Sequence, residues 1–139
     1  MLDQSYLADD DRLRTYEIHP GDELLCLGYP LAAPANAMGF PILRSGKIAS
    51  YPLIPVSANL PWLFDFTVFP GNSGGPVYFS YDTRRYGGAL HMGPIQSVVG
   101  LLSQQLSSSL PEYKGTSLEA GVIVPAKFII ETLNLLPDR

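Results

Sequence analysis

Cysteine is almost absent from this sequence: its 139 residues include one, Cys26, so no disulfide can form within the chain. Cys26 lies in the run Leu24-Leu25-Cys26-Leu27, the setting of a small buried hydrophobe rather than a reactive thiol. A chain without disulfides fits a reducing compartment such as the cytoplasm. Long apolar runs are missing too. Nothing approaches the roughly 18 residues of a membrane span, so no membrane partner is expected. The segment Met1-Leu2-Asp3-Gln4-Ser5 lacks the basic and apolar regions of a signal peptide. There is no basic excess: 9 Lys and Arg against 13 Asp and Glu give a formal charge of −4. Such a chain has no surplus cation to displace counterions from a phosphate backbone, which excludes a nucleic-acid partner. Charged residues make up only 16%, too few for long disordered stretches. No cofactor and no metal site is expected.

What is present describes one folded domain. The apolar fraction is 46%, and a chain of this length buries roughly two-thirds of its unfolded surface. Proline and glycine contribute 13 residues each and punctuate the chain at short intervals. Between them, segments 23–28, 39–50, 62–68, 75–80, 94–103 and 118–124 are short and rich in β-branched or aromatic residues, which predicts six strands. Arg44-Ser45-Gly46 and Tyr86-Gly87-Gly88 read as turn signals. Six strands in one small domain predict a closed antiparallel barrel or a sandwich. Only the last segment carries a helical period: Ile129, Leu133 and Leu136 recur at i, i+4 and i+7, with Pro125 at the start and Pro137 at the stop. Residues 1–18, with Asp9-Asp10-Asp11, read as a solvated lead-in to a domain over 19–139.

The stretch Phe69-Pro70-Gly71-Asn72-Ser73-Gly74-Gly75-Pro76-Val77 carries the chemistry. Its glycines permit a tight turn in which backbone N–H groups converge on one point. A serine on such a turn, followed directly by a strand, sits as acyl transfer requires, beside a preformed oxyanion hole. A Gly-rich hairpin whose serine only caps a turn is the plainer alternative, and the length of the motif argues against it.

Gly71-Asn72-Ser73-Gly74-Gly75-Pro76 resembles the nucleophile motif of trypsin-like serine peptidases, particularly the HtrA-like branch with asparagine before the serine. The similarity continues on both sides. Pro20-Gly21-Asp22 with Leu25-Cys26-Leu27-Gly28-Tyr29-Pro30 resembles the family's first strand of this barrel. Arg44-Ser45-Gly46-Lys47-Ile48-Ala49-Ser50 resembles the next. Asp65 lies eight residues before Ser73, where HtrA-like sequences also carry an aspartate. Val98-Val99-Gly100-Leu101-Leu102-Ser103 resembles the strand lining the substrate cleft, and Ala120-Gly121-Val122-Ile123-Val124-Pro125 the last strand before a C-terminal helix.

The resemblance implies an all-β fold: a six-stranded antiparallel Greek-key barrel, the second of the chymotrypsin fold, followed by a C-terminal α-helix. It makes Ser73 the nucleophile. Gly71, Asn72 and Ser73 would form the oxyanion hole, with Asn72 shaping the turn between the two donating N–H groups. Thr67, Val68, Phe69, Ser103, Gln104, Gln105, Gly121 and Ile123 would wall the primary specificity pocket. None of these bears a charge, so the pocket is expected to be apolar and rather small. Trypsins carry an aspartate before the serine that pairs with a newly freed N-terminus; Asn72 cannot form that pair.

The family's histidine and aspartate lie on another barrel, and neither His19 nor His91 sits in the alanine-alanine-histidine context the family uses. Three readings follow. The chain is a fragment of a peptidase acting on peptides or proteins, inactive without its N-terminal barrel. Alternatively it is a degenerate, non-catalytic barrel that binds a peptide or protein, or a structural domain with an incidental turn. A solitary second barrel is also expected to self-associate through apolar surface in the segments 31–40 and 53–64.

Overall fold

The computed structural model describes residues 3–137, so Met1 and Leu2 of the lead-in and the last two residues lie outside the described structure. Six strands and two α-helices form among the described residues: α1 (Asp10–Thr15), β1 (Glu23–Gly28), β2 (Ile42–Ile48), β3 (Trp62–Asp65), β4 (Pro76–Tyr86), β5 (Ala89–Ser107), β6 (Ser117–Pro125) and α2 (Ala126–Leu133). The strands pair antiparallel in a closed ring, in the order β1-β2-β3-β6-β5-β4 and back to β1. Period-two alternation fills its interior. In β1, Leu24, Cys26 and Gly28 are buried while Leu25 and Leu27 are only half-buried. Phe64, Val77, Phe79, Val99 and Leu102 meet Leu24 in the core. The helix at the C-terminus begins directly after Pro125, as the sequence predicts, but ends at Leu133, short of the expected Leu136 and Pro137. Among the described residues no helix is long and apolar enough to cross a membrane.

Three expectations are corrected. Arg44-Ser45-Gly46 is not a turn: all three residues lie within β2. Gly46 serves close approach instead, since a Cβ there would collide with the Asp65 carbonyl and the Phe64 ring. Strands β4 and β5 run well past Ser80 and start well before Pro94. Gly87 and Gly88, with φ of 58° and 77°, close a two-residue hairpin turn of the type I′ pattern, and pairing continues to Tyr86 and Ala89.

The acidic lead-in is the third. The Asp9 carboxylate caps α1 by accepting from Arg12 N–H at 2.8 Å, and Asp10 and Asp11 occupy its first turn, where the helix dipole favours anions. Leu13 is then fully buried, Ala8 N–H donates to the Val98 carbonyl at 2.9 Å, and Asp10 faces Lys127 of α2. The run of aspartates marks a helix start that docks on the ring, not a solvated leader.

Candidate functional site

Residues 66–75 connect β3 to β4 and form two consecutive turns. Phe66 anchors the segment by stacking on Phe64, ring centroids 4.7 Å apart. In the first turn Asn72 N–H donates to the Phe69 carbonyl at 3.0 Å, with Pro70 and Gly71 between them. Proline followed by a glycine at φ 95° is the type II pattern. Gly71 is also pressed against the neighbouring loop, because a Cβ there would collide with the Tyr29 carbonyl. That loop donates Tyr29 N–H to the Gly71 carbonyl (3.2 Å) and Leu31 N–H to the Pro70 carbonyl (2.6 Å).

In the second turn Gly75 N–H donates to the Asn72 carbonyl at 3.0 Å. Gly74 N–H reaches the Leu102 carbonyl at 2.7 Å, and Leu102 N–H returns to Gly75 at 2.9 Å. Ser73 is therefore the exposed corner between two turns fixed to different parts of the ring. Among the described residues the N–H groups of Gly71 and Ser73 have no acceptor. Asn72 points inward and is buried, with its Nδ2 unpaired among the described residues. A cleft of about 430 Å³ opens beside the turn, walled by Ser73, Gly71, Gly74, Leu27, Tyr29 and Pro41.

The Ser73 hydroxyl donates to the Ser103 main-chain carbonyl. Neither histidine approaches it. His91 stacks on Tyr86 and contacts the Tyr86 carbonyl at 3.1 Å, opposite Arg84 in the β4–β5 hairpin. Arg84 lies eight residues along β4 from Pro76, about 26 Å at strand spacing. Arg84 pairs with Asp22 at 2.7 Å, and His19 stands next to Asp22, so both histidines occupy the end of the ring away from Ser73. Among the described residues no three His, Cys, Asp or Glu side chains are grouped to hold a metal ion.

The segments expected to wall a specificity pocket are neighbours. Gln104 opposes Val122 and Gln105 opposes Gly121 across the β5–β6 pair. The space between them is occupied: a Cβ built on Gly121 would lie 2.8 Å from Leu102 Cδ1 and 3.1 Å from Val68 Cγ2. Ile123 belongs to the buried core, Gln104 is exposed, and Gln105 donates to the Ser117 hydroxyl. Phe69 is partly exposed, and the Thr67 carbonyl accepts from Arg44 at 2.9 Å.

Arg44 is the residue that reading the segments one at a time missed. From β2 its guanidinium lies 4.1 Å from the Phe66 ring centroid and 5.3 Å from that of Phe69, so a cation supports the loop from beneath. The signal was available: Ile42, Arg44, Gly46 and Ile48 alternate onto the better-buried face of β2. Opposite Arg44 sits Cys26, whose thiol burial pushes up to about 11 against the lowering influence of that guanidinium.

Among the described residues the turn thus carries two main-chain N–H groups without acceptors and a serine hydroxyl with no side-chain base bonded to it. Fold and site together define a mostly β domain of six antiparallel strands in a ring with a C-terminal helix. Compared with known proteins, the chain matches no family profile, no curated protein and no solved structure.

Proposed function

We propose that this chain is the nucleophile-bearing barrel of a trypsin-like serine endopeptidase, with its general base supplied from a second barrel outside these residues. The observation that carries the reading is Ser73 at the exposed corner of a doubly anchored turn, beside the unpaired N–H groups of Gly71 and Ser73. Those groups act as the oxyanion hole, with Asn72 buried beneath as the pivot of the turn. The neighbour order β4-β1-β2-β3 supports a Greek-key barrel, in which a fourth strand returns beside the first. Substrate is a peptide or protein lying along 103–105, its side chain entering between 67–69 and Gly121. The Arg44 cation behind Thr67 opposes a basic side chain there. Displacing Val68 from Gly121 opens the pocket.

The second reading, a binding barrel without turnover, is favoured by the same closure: Ser73 tied to Ser103, and Val68 and Leu102 packed over Gly121. A phosphonate probe separates the two when the chain is joined to a barrel bearing histidine and aspartate. Labelling that is lost in Ser73→Ala supports the peptidase. Binding of peptide without labelling supports the second reading.

A further inference from the structure

Helix α1 lays Arg12 against β5, on a surface separate from the Ser73 turn. Its Nε donates to the buried Ser97 hydroxyl and its Nη2 to the Gln96 carbonyl at 3.0 Å, while the guanidinium carbon sits 5.2 Å from the Tyr16 ring centroid. These bonds use one edge of the planar guanidinium. The other edge, Nη1 with the second Nη2 hydrogen, has no acceptor among the described residues. Nor does any described carboxylate pair with it. Arg12 stands in the wall of a cavity of about 310 Å³ with Ser5, Tyr6, Tyr16, Pro94 and Gln96.

We propose that this cavity binds a carboxylate carried on an aromatic ring. A free guanidinium edge presents two parallel N–H donors, the geometry that matches a carboxylate in bidentate fashion. The arginine is already fixed by β5 and Tyr16, so little side-chain freedom is lost when the ligand arrives. Tyr6, Tyr16 and Pro94 place three rings in a lining that is otherwise largely polar, and a void of roughly 150 Å³ already holds a benzene-sized body. A tetrahedral dianion fits less well. Among the described residues lining the cavity Arg12 is the one cation, and the chain carries a formal charge of −4.

The test follows the backbone amide signals of Arg12, Tyr16 and Gln96 by NMR while benzoate, benzamide or inorganic phosphate is added to the chain. Benzoate is expected to shift them saturably, with benzamide and phosphate each at least about tenfold weaker, the loss a charge-assisted pair predicts. Arg12→Lys keeps the charge and loses the fork, and is expected to weaken benzoate about tenfold. Arg12 also ties α1 to β5, so the comparison of benzoate with benzamide on the unaltered chain decides the question without any variant. Equal binding of benzamide, tighter binding of phosphate, or shifts confined to other residues would each overturn the proposal.

Discussion

The hydroxyl of Ser73 donates to the main-chain carbonyl of Ser103, thirty residues further along the chain. An amide carbonyl accepts a hydrogen bond but does not take the proton, so this partner orients the oxygen without activating it. The chain alone is therefore expected to react negligibly with a phosphonate serine-hydrolase probe. Added imidazole, a base that can enter the open cleft, is expected to raise labelling in proportion to its neutral form. Ser73→Ala should abolish that increase. Rapid labelling without imidazole would mean a base reaches Ser73 after all.

Gly71 meets two separate demands, a φ of 95° and close approach to the Tyr29 carbonyl. Gly71→Ala should destabilise the fold by about 1–3 kcal/mol. It should also remove imidazole-dependent labelling, because the turn that aims the Gly71 and Ser73 N–H groups is displaced. Urea unfolding and probe labelling measure the two effects independently. Gly74→Ala, at φ 82° with open space around it, is the control for backbone strain alone.

Leu13 of α1 is 1% exposed. Leu13→Ala should cost about 2–5 kcal/mol, the range for a cavity in a packed core. If the N-terminal segment were only a leader, thermal unfolding would move by less than the effect of an ordinary surface change.

Burial raises the Cys26 thiol to about 11, and burial with the nearby Asp22 carboxylate raises the Tyr81 phenol to about 12. Both groups keep their protons in the folded state at pH values where the unfolded chain has released them. Stability they contribute is thus present below pH 9 and is lost as pH climbs from about 9 towards 12. Urea midpoints should fall between pH 8.5 and 11. At pH 8 the thiolate fraction of Cys26 is about a hundredfold below that of an ordinary thiol, so alkylation should slow to match. A midpoint that rises with pH in this window would contradict the assignment.

Leu31, Met38, Phe40 and Leu43 are all more than half exposed and lie around the loop that braces the Ser73 turn. Exposed apolar surface of this kind seeks cover. Sedimentation should show concentration-dependent association, reduced when Met38 and Phe40 are both replaced by serine. A monomer at all concentrations would show that this loop covers itself. Of the two segments expected to be uncovered, the second is mixed: Leu53, Val56, Trp62 and Phe64 are buried, while Leu60 is about half exposed.

The strands and the terminal helix were legible because their signals are local. The apolar run Leu24-Leu25-Cys26-Leu27 closed by Gly28, and proline at 125 before a helical period, depend only on near neighbours. The spacing of Pro70, Gly71 and Gly74 likewise foretold a turn that exposes Ser73. Signals that looked local and were not misled. Gly46 reads as a turn residue, yet it is required by the Phe64 ring and Asp65 carbonyl of the next strand. The three aspartates read as solvated until Leu13 behind them finds the core.

By itself the sequence determined six strands, a closing helix and an exposed serine between glycines, since each follows from backbone preference and short-range periodicity. Only the tertiary structure decided what surrounds that serine. Ring closure brings Ser103, Arg44 and Gly121 to the turn from three different strands and carries His19 and His91 to the opposite end. Such distances are fixed by the register of pairing between strands far apart in the chain, which no local pattern encodes.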